Sequence, residues 1–144
     1  MKNKKDAGIE ISIIKEWDID EIVGLYREGG WWKEEWNPDE IRPLINGSFL
    51  FVLATDKKKK AVGMGRVISD GSSDGYIQDL VIHSDYRGTG LGRRILKTLV
   101  TESRKRGLGW IGLIAEPGTS GFYEKEGFSI MDDHIPMVLR FDND

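Results

Sequence analysis

The 144-residue sequence contains no cysteine, which excludes a disulfide framework, a thiol nucleophile and any cysteine-ligated metal. Its only two histidines, His83 and His134, stand far apart without ligand spacing, so no metal site is expected. No apolar run approaches the roughly 18 residues that a membrane helix needs. The Lys-rich stretch from Met1 to Asp6 has no apolar segment behind it, unlike a secretory signal. Charge of one sign is also missing. Lys plus Arg is 21 and Asp plus Glu is 24, a formal net charge of −3, which speaks against a general nucleic-acid binder. A cytoplasmic protein acting without membrane or nucleic acid is the expectation.

What is present is an ordinary globular balance, 39% hydrophobic and 31% charged, over a length suited to a single domain spanning 1–144. Residues 1–8 read as a flexible N-terminal tail. Glu10 to Ile14 alternates like a strand. Asp18-Ile19-Asp20-Glu21 has a capping-box shape, followed by Ile19, Ile22, Val23 and Tyr26 at helical spacing and a stop at Gly29-Gly30. Asn37-Pro38-Asp39-Glu40 starts a second helix, which Pro43 keeps short or distorted. Ser48 to Ala54 and Ala61 to Ile68 read as a hairpin, with Lys57 to Lys60 as its solvated tip. Tyr76 to Ile82 is a strand, and Leu91, Ile95, Leu96, Leu99 and Val100 form the apolar stripe of a helix ending at Gly107. Trp110 to Ala115 reads as a strand, Thr119 to Glu126 as a short helix, and Phe128 to Met131 and Met137 to Phe141 as final strands. The order β-α-α-β-β-β-α-β-α-β-β describes an α+β, mixed-sheet domain.

The densest signal is Asp85-Tyr86-Arg87-Gly88-Thr89-Gly90-Leu91-Gly92-Arg93-Arg94, a glycine loop between a strand and an amphipathic helix. Glycines let backbone approach a ligand closely, and the first amides of a helix are unpaired and at its positive end. Such a start suits phosphate, with Arg87, Arg93 and Arg94 adding donors. The Walker pattern G-x-x-x-x-G-K-[ST] has no match, and the spacing G-x-G-x-G departs from the dinucleotide fingerprint. Arg87-x-x-Gly90-x-Gly92 instead meets [Q/R]-x-x-G-x-[G/A] after a strand.

On these residues the sequence resembles the GNAT superfamily of N-acetyltransferases, in which that loop holds the pyrophosphate of acetyl-CoA. Leu80-Val81-Ile82-His83-Ser84-Asp85-Tyr86-Arg87 looks like the family's strand exit, and Gly121-Phe122-Tyr123-Glu124-Lys125-Glu126-Gly127-Phe128 looks like its F-Y-x-x-x-G-F segment. The resemblance implies a GNAT-like acyl-CoA N-acyltransferase fold, with a central, mostly antiparallel mixed sheet flanked by helices. It implies acetyl-CoA as co-substrate, held by Arg87, Gly88, Thr89, Gly90, Leu91, Gly92 and Arg93. Backbone amides of Leu80, Val81 and Ile82 would pair with the pantetheine arm and polarise the thioester oxygen. Tyr123 would donate to the leaving sulfur, and Asp79 is the candidate base, provided a bulge or its strand face aims it into the site. His83 and a water chain without a dedicated base stand beside it. Many members carry Asn where this chain has Glu116.

An alkylammonium titrates near 10, so about one molecule in a thousand is neutral at pH 7 and proton removal belongs to the mechanism. From Glu16 to Glu40 nine carboxylates face only Arg27 and Lys33, a net of −7, and three of five tryptophans sit at 31–36. By resemblance this segment covers the acceptor site. Aromatic faces and carboxylates suit a cationic amine, so Trp31, Trp32 and Tyr76 are the expected acceptor contacts. The same residues would equally serve as packing aromatics and helix-start charges. The expected reaction is direct acetyl transfer to a primary amine, either a small molecule or a Lys or N-terminal amine. The absence of cysteine removes the commonest acyl-enzyme route. A homodimer is compatible with this reading. The rivals are a CoA-binding sensor without turnover and an interaction domain using the Trp-rich face. Arg87 to Arg106 carries a local +6, so the remaining residues sum to −9, a division that suits a polyanionic co-substrate and a cationic acceptor.

Overall fold

A computed structural model describes residues 8–141. The tail expected at 1–8 lies, apart from Gly8, outside the described residues. The chain falls into two compact units, Met1–Leu113 and Ile114–Asp144.

In the first unit the elements run β1 (Glu10–Ile13), α1 (Ile19–Glu28), a 3-10 turn at Pro38–Glu40, α2 (Ile41–Gly47), β2 (Leu50–Thr55), β3 (Ala61–Ile68) and β4 (Asp74–Ile82). A second 3-10 turn at Ser84–Tyr86, then α3 (Leu91–Lys105) and β5 (Trp110–Gly112), complete it. The five strands form one sheet in sequence order, antiparallel from β1 to β4 and parallel between β4 and β5. The parallel pair is joined through α3, the strand–helix–strand crossover that a parallel connection requires.

The sheet is covered on both faces. Met64 and Phe51 pack with Ile22, Leu25 and Tyr26 of α1 and with Ile41 and Ile45 of α2. On the other face, the Cβ positions of Gly63 and Gly65 in β3 abut Ile95 and Leu99 of α3. Side chains there would collide with α3, so glycine lets the helix lie close to the sheet. Leu91, Ile95, Leu96 and Leu99 are all buried, as their spacing predicts.

The local signals at helix starts are largely met. Asp18 caps α1 by accepting from the Glu21 amide at 3.0 Å, and Asn37 caps the 3-10 turn by accepting from the Asp39 amide at 3.0 Å. The capping box is only half made. Glu21 Oε1 accepts instead from the Ala61 amide at 2.7 Å and from the Trp17 indole at 3.3 Å, joining α1 to the first residue of β3.

Among the described residues the second unit contains one helix, α4 (Ser120–Lys125). The strands expected at Phe128 to Met131 and Met137 to Phe141 are not formed. Ile130, Met137, Val138, Leu139 and Phe141 are instead exposed. β-branched and apolar composition favours a strand only where a neighbouring strand supplies hydrogen bonds and packing, and among the described residues no strand pairs with these.

Candidate functional site

β4 ends at Ile82, and the backbone turns through Ser84–Tyr86 before the glycine loop opens α3. The loop is tied internally by Thr89 Oγ1, which donates to the Tyr86 carbonyl at 2.6 Å. Gly88 and Gly90 have φ of 76° and 86°, a region that side chains rarely enter. Nothing lies within 4 Å of the Cβ position at either glycine, so the loop is open on its outer side. Gly90 is the N-cap of α3 and no side chain caps that helix. The amides of Leu91 and Gly92, in the first turn, therefore have no partner earlier in the helix. Open backbone, positive φ and the positive end of a 15-residue helix together fit a phosphate-bearing ligand.

Arg87 is exposed but tied to its surroundings. Its Nε donates to the Ile82 carbonyl at 3.2 Å and its Nη2 to the Glu28 carbonyl at 3.3 Å, with Glu28 Oε2 at 3.5 Å. A cavity of about 590 Å³ adjoins this contact, lined by residues that include Glu21, Lys60, His83 and Arg87.

The outer edge of β4 has an equally informative shape. β5 pairs only with Asp74, Gly75 and Tyr76, so from Ile77 to Ile82 that edge has no strand beside it among the described residues. Leu80, Val81 and Ile82 thus lie on a stretch of edge that another extended chain could join.

Between β3 and β4 the register slips. Met64 faces Val81 while Arg66 faces Gln78, so Asp79 and Leu80 together oppose Gly65. Asp79 occupies the bulge with φ of 59°. The extra residue sends Asp79 to the α1 face, where its Oδ2 accepts from Tyr26 Oη at 2.7 Å and from Arg66 Nε at 2.6 Å. Leu80 points the other way, against the α3 face at Gly65. Arg66 also donates to Gln78 at 3.4 Å. Burial, reinforced by the Asp79 charge, pushes the Tyr26 phenol well above its ordinary range. Tyr26 therefore stays protonated and acts as a donor.

Neither Tyr26 nor Arg66 stands out by spacing. Tyr26 belongs to the apolar stripe of α1 and hides among core residues. Arg66 carries a signal, because a cation inside an otherwise apolar strand needs a buried acidic partner.

The tryptophans divide. Trp31 and Trp32 are half-buried against the core under α1, and Trp31 meets Tyr26 edge-on at 6.3 Å. Trp36 is exposed, and Lys33 already stands over its ring at 5.7 Å. Tyr76 is half-exposed and packs on Trp110 with ring centroids 5.2 Å apart. Several carboxylates of the acidic stretch are likewise engaged: Asp18 caps a helix, Glu34 pairs with Arg27 at 3.1 Å, and Glu28 faces Arg87 and His83.

In the second unit Tyr123 is half-buried between Phe122 and Phe128, at 5.0 and 5.9 Å. Burial first, and the Glu116 carboxylate second, raises its phenol above the usual tyrosine value. The Glu116 carbonyl accepts from both the amide and the hydroxyl of Thr119, starting the turn into α4.

A mixed sheet clasped by helices on both faces, with a phosphate-ready loop at one strand end, has clear counterparts among known proteins. Residues 19–136 match the acetyltransferase (GNAT) domain family. N-acetyltransferase ycf52 of Pyropia yezoensis, itself described as uncharacterized, is 34% identical over 122 residues, covering 83% of this chain and 70% of its own. Serotonin N-acetyltransferase 2, chloroplastic, of Oryza sativa subsp. japonica is 34% identical over 82 residues, 57% of this chain and 41% of that relative. Among solved structures, a GNAT-family acetyltransferase of Streptococcus pneumoniae aligns with a TM-score of 0.76 at 25% identity, covering 93% of this chain and 98% of the other. The chain belongs to the GNAT family and is an acyltransferase.

Proposed function

We propose that the protein transfers acetyl from acetyl-CoA to a primary amine by direct attack in a ternary complex. The observation that carries this reading is the loop at Gly88–Gly92, whose positive-φ glycines open the N-terminus of an uncapped helix beside an unpaired strand edge. Loop amides and Arg87 would hold the pyrophosphate, with Arg93 adding charge. The Leu80–Ile82 backbone would pair with the pantetheine arm and donate to the thioester oxygen as negative charge develops there. The amine nitrogen forms the new C–N bond as the C–S bond breaks. The ammonium first gives up one proton to a base or water so that the neutral nitrogen can attack, and the nitrogen's second proton then passes to the departing sulfur.

Tyr123 is the proposed donor to that sulfur. Its raised phenol makes full proton transfer more uphill than for a free tyrosine and keeps the hydroxyl protonated, so its contribution is a hydrogen bond. Asp79 already accepts two hydrogen bonds on Oδ2, which favours a role in holding the bulge over one as the base. A water chain then carries the proton. Acceptors are sought among small-molecule amines and Lys or N-terminal amines. Three relatives are named chloroplastic, which supports the chloroplast beside the cytoplasm as a proposed setting.

The test is release of free CoA thiol from acetyl-CoA across a panel of polyamines, arylalkylamines, amino sugars and Lys peptides. The reading expects an acetylated product with at least one amine. Binding of acetyl-CoA without any product would leave a sensor, and no binding at all would leave an interaction domain.

A further inference from the structure

The phosphate loop has a brace that the reaction scheme does not use. Glu28, the last residue of α1, is half-buried and touches the loop at three points. Its Oε2 lies 3.5 Å from Arg87 Nη2, its main-chain carbonyl accepts from the same Nη2 at 3.3 Å, and its Oε1 lies 3.4 Å from His83 Nε2. His83 in turn caps the 3-10 turn before the loop, its Nδ1 accepting from the Asp85 amide at 3.1 Å. An accepting Nδ1 carries no proton, so the neutral ring holds its proton on Nε2, facing Glu28. One carboxylate thus grips both the entry to the loop and its first arginine.

We propose that Glu28 is a positioning residue that fixes Arg87 and the Ser84–Tyr86 turn, and so sets the affinity of the glycine loop for acetyl-CoA. Arg87 spends Nε and one Nη2 hydrogen on Ile82 and Glu28, while its side chain remains 56% exposed. Its remaining donors are therefore presented from a held guanidinium instead of a freely rotating one. Preordering of this kind lowers the entropic cost of anion binding. It acts on the co-substrate and leaves the chemistry at the thioester untouched. This inference rests on the reading of Gly88–Gly92 as the phosphate site.

The experiment measures acetyl-CoA Kd by calorimetry and steady-state constants for both substrates in Glu28→Ala, Glu28→Gln, Arg87→Ala and the Glu28→Ala/Arg87→Ala pair, with Gly90→Glu as control. Partly exposed ion pairs are modest, so Glu28→Ala should raise Kd about threefold to fivefold. kcat and the acceptor KM should stay unchanged. Glu28→Gln should show a smaller rise, because its single amide oxygen can still accept from one of the two partners. With Arg87 already removed, loss of Glu28 should add a smaller rise, because only its contact with His83 remains to be lost. If Gly90→Glu abolishes binding while both Glu28 variants keep the wild-type Kd, the positioning role is wrong. An equal effect of Glu28→Ala with or without Arg87, or a matching rise in acceptor KM, would make Glu28 merely structural and overturn it as well. If Gly90→Glu binds normally, the phosphate-loop reading itself has failed. Should Glu28→Ala not fold, the isosteric Gln variant decides.

Discussion

The C-terminal end of β4 and the α1–α2 segment are built from different materials. At the end of β4 the parts proposed to bind are main chain: two positive-φ glycines, a helix start without a side-chain cap and an edge that has no strand beside it among the described residues. In the α1–α2 segment the conspicuous groups are side chains, and several of them already have partners within the chain. Lys33 occupies the face of Trp36, Arg27 takes Glu34, and Tyr26 and Arg66 take Asp79. Backbone groups whose geometry is fixed by the fold stay available to a ligand. Charged side chains find partners within their own chain first, so composition alone overstates how many face a substrate.

Gly90→Glu tests the backbone half most severely. A side chain at φ of 86° is strained, and the new carboxylate would sit at the loop proposed to receive phosphate. Binding of acetyl-CoA should fall by more than about a hundredfold in calorimetry, a larger effect than removing one charge-assisted hydrogen bond would have. Asp79→Asn tests the side-chain half. Loss of the charge facing Arg66 and Tyr26 should lower stability by about 2 kcal/mol in urea melts, the scale of hydrogen bonds to a charged group. Should stability hold while turnover collapses, Asp79 is the base after all.

Tyr123→Phe should reduce kcat about tenfold with acetyl-CoA Kd unchanged, the signature of an interaction made only as the sulfur leaves. An equal rate in the Phe variant would remove that role. The Tyr26–Asp79 bond also has a pH signature. The folded-state phenol titrates above its unfolded value, so its contribution is complete below about pH 10 and is lost as pH rises beyond that. Wild type should lose more of its urea midpoint between pH 8 and 11 than Tyr26→Phe does. The smallest effect belongs to Lys33→Ala. Freeing the Trp36 ring at an exposed site should change stability by less than about 0.5 kcal/mol. If Trp36 receives the acceptor, the acceptor KM should fall; no change takes Trp36 out of the acceptor site.

Much of the first unit was legible because its signals are local. Asn37 before Pro38, the stripe at Leu91, Ile95 and Leu99, and the glycines at 88 and 90 each act over a few residues, and each appears where its chemistry predicts. The Asp79 cluster was not legible, because Tyr26 and Arg66 stand 53 and 13 residues from it and meet only through the sheet. Glu21 shows the same limit at short range: its spacing fits a capping box, yet a strand amide 40 residues away claims the carboxylate. The strands expected after Phe128 fail for a related reason. An apolar run says what a segment prefers and leaves open whether a neighbour is there to pair with it.

The extra residue at Asp79 also sets the phase of everything beyond it. Tyr76 and Gln78 lie on the side that Asp79 and Val81 also take, so even positions before the slip and odd positions after it share one surface. Deleting Asp79 would restore strict alternation and leave Leu80 against α3 and Val81 against α1. Flattening the bulge with every residue kept would instead turn Leu80 toward α1 and Val81 toward α3, so one extra residue decides the faces of the last third of the strand.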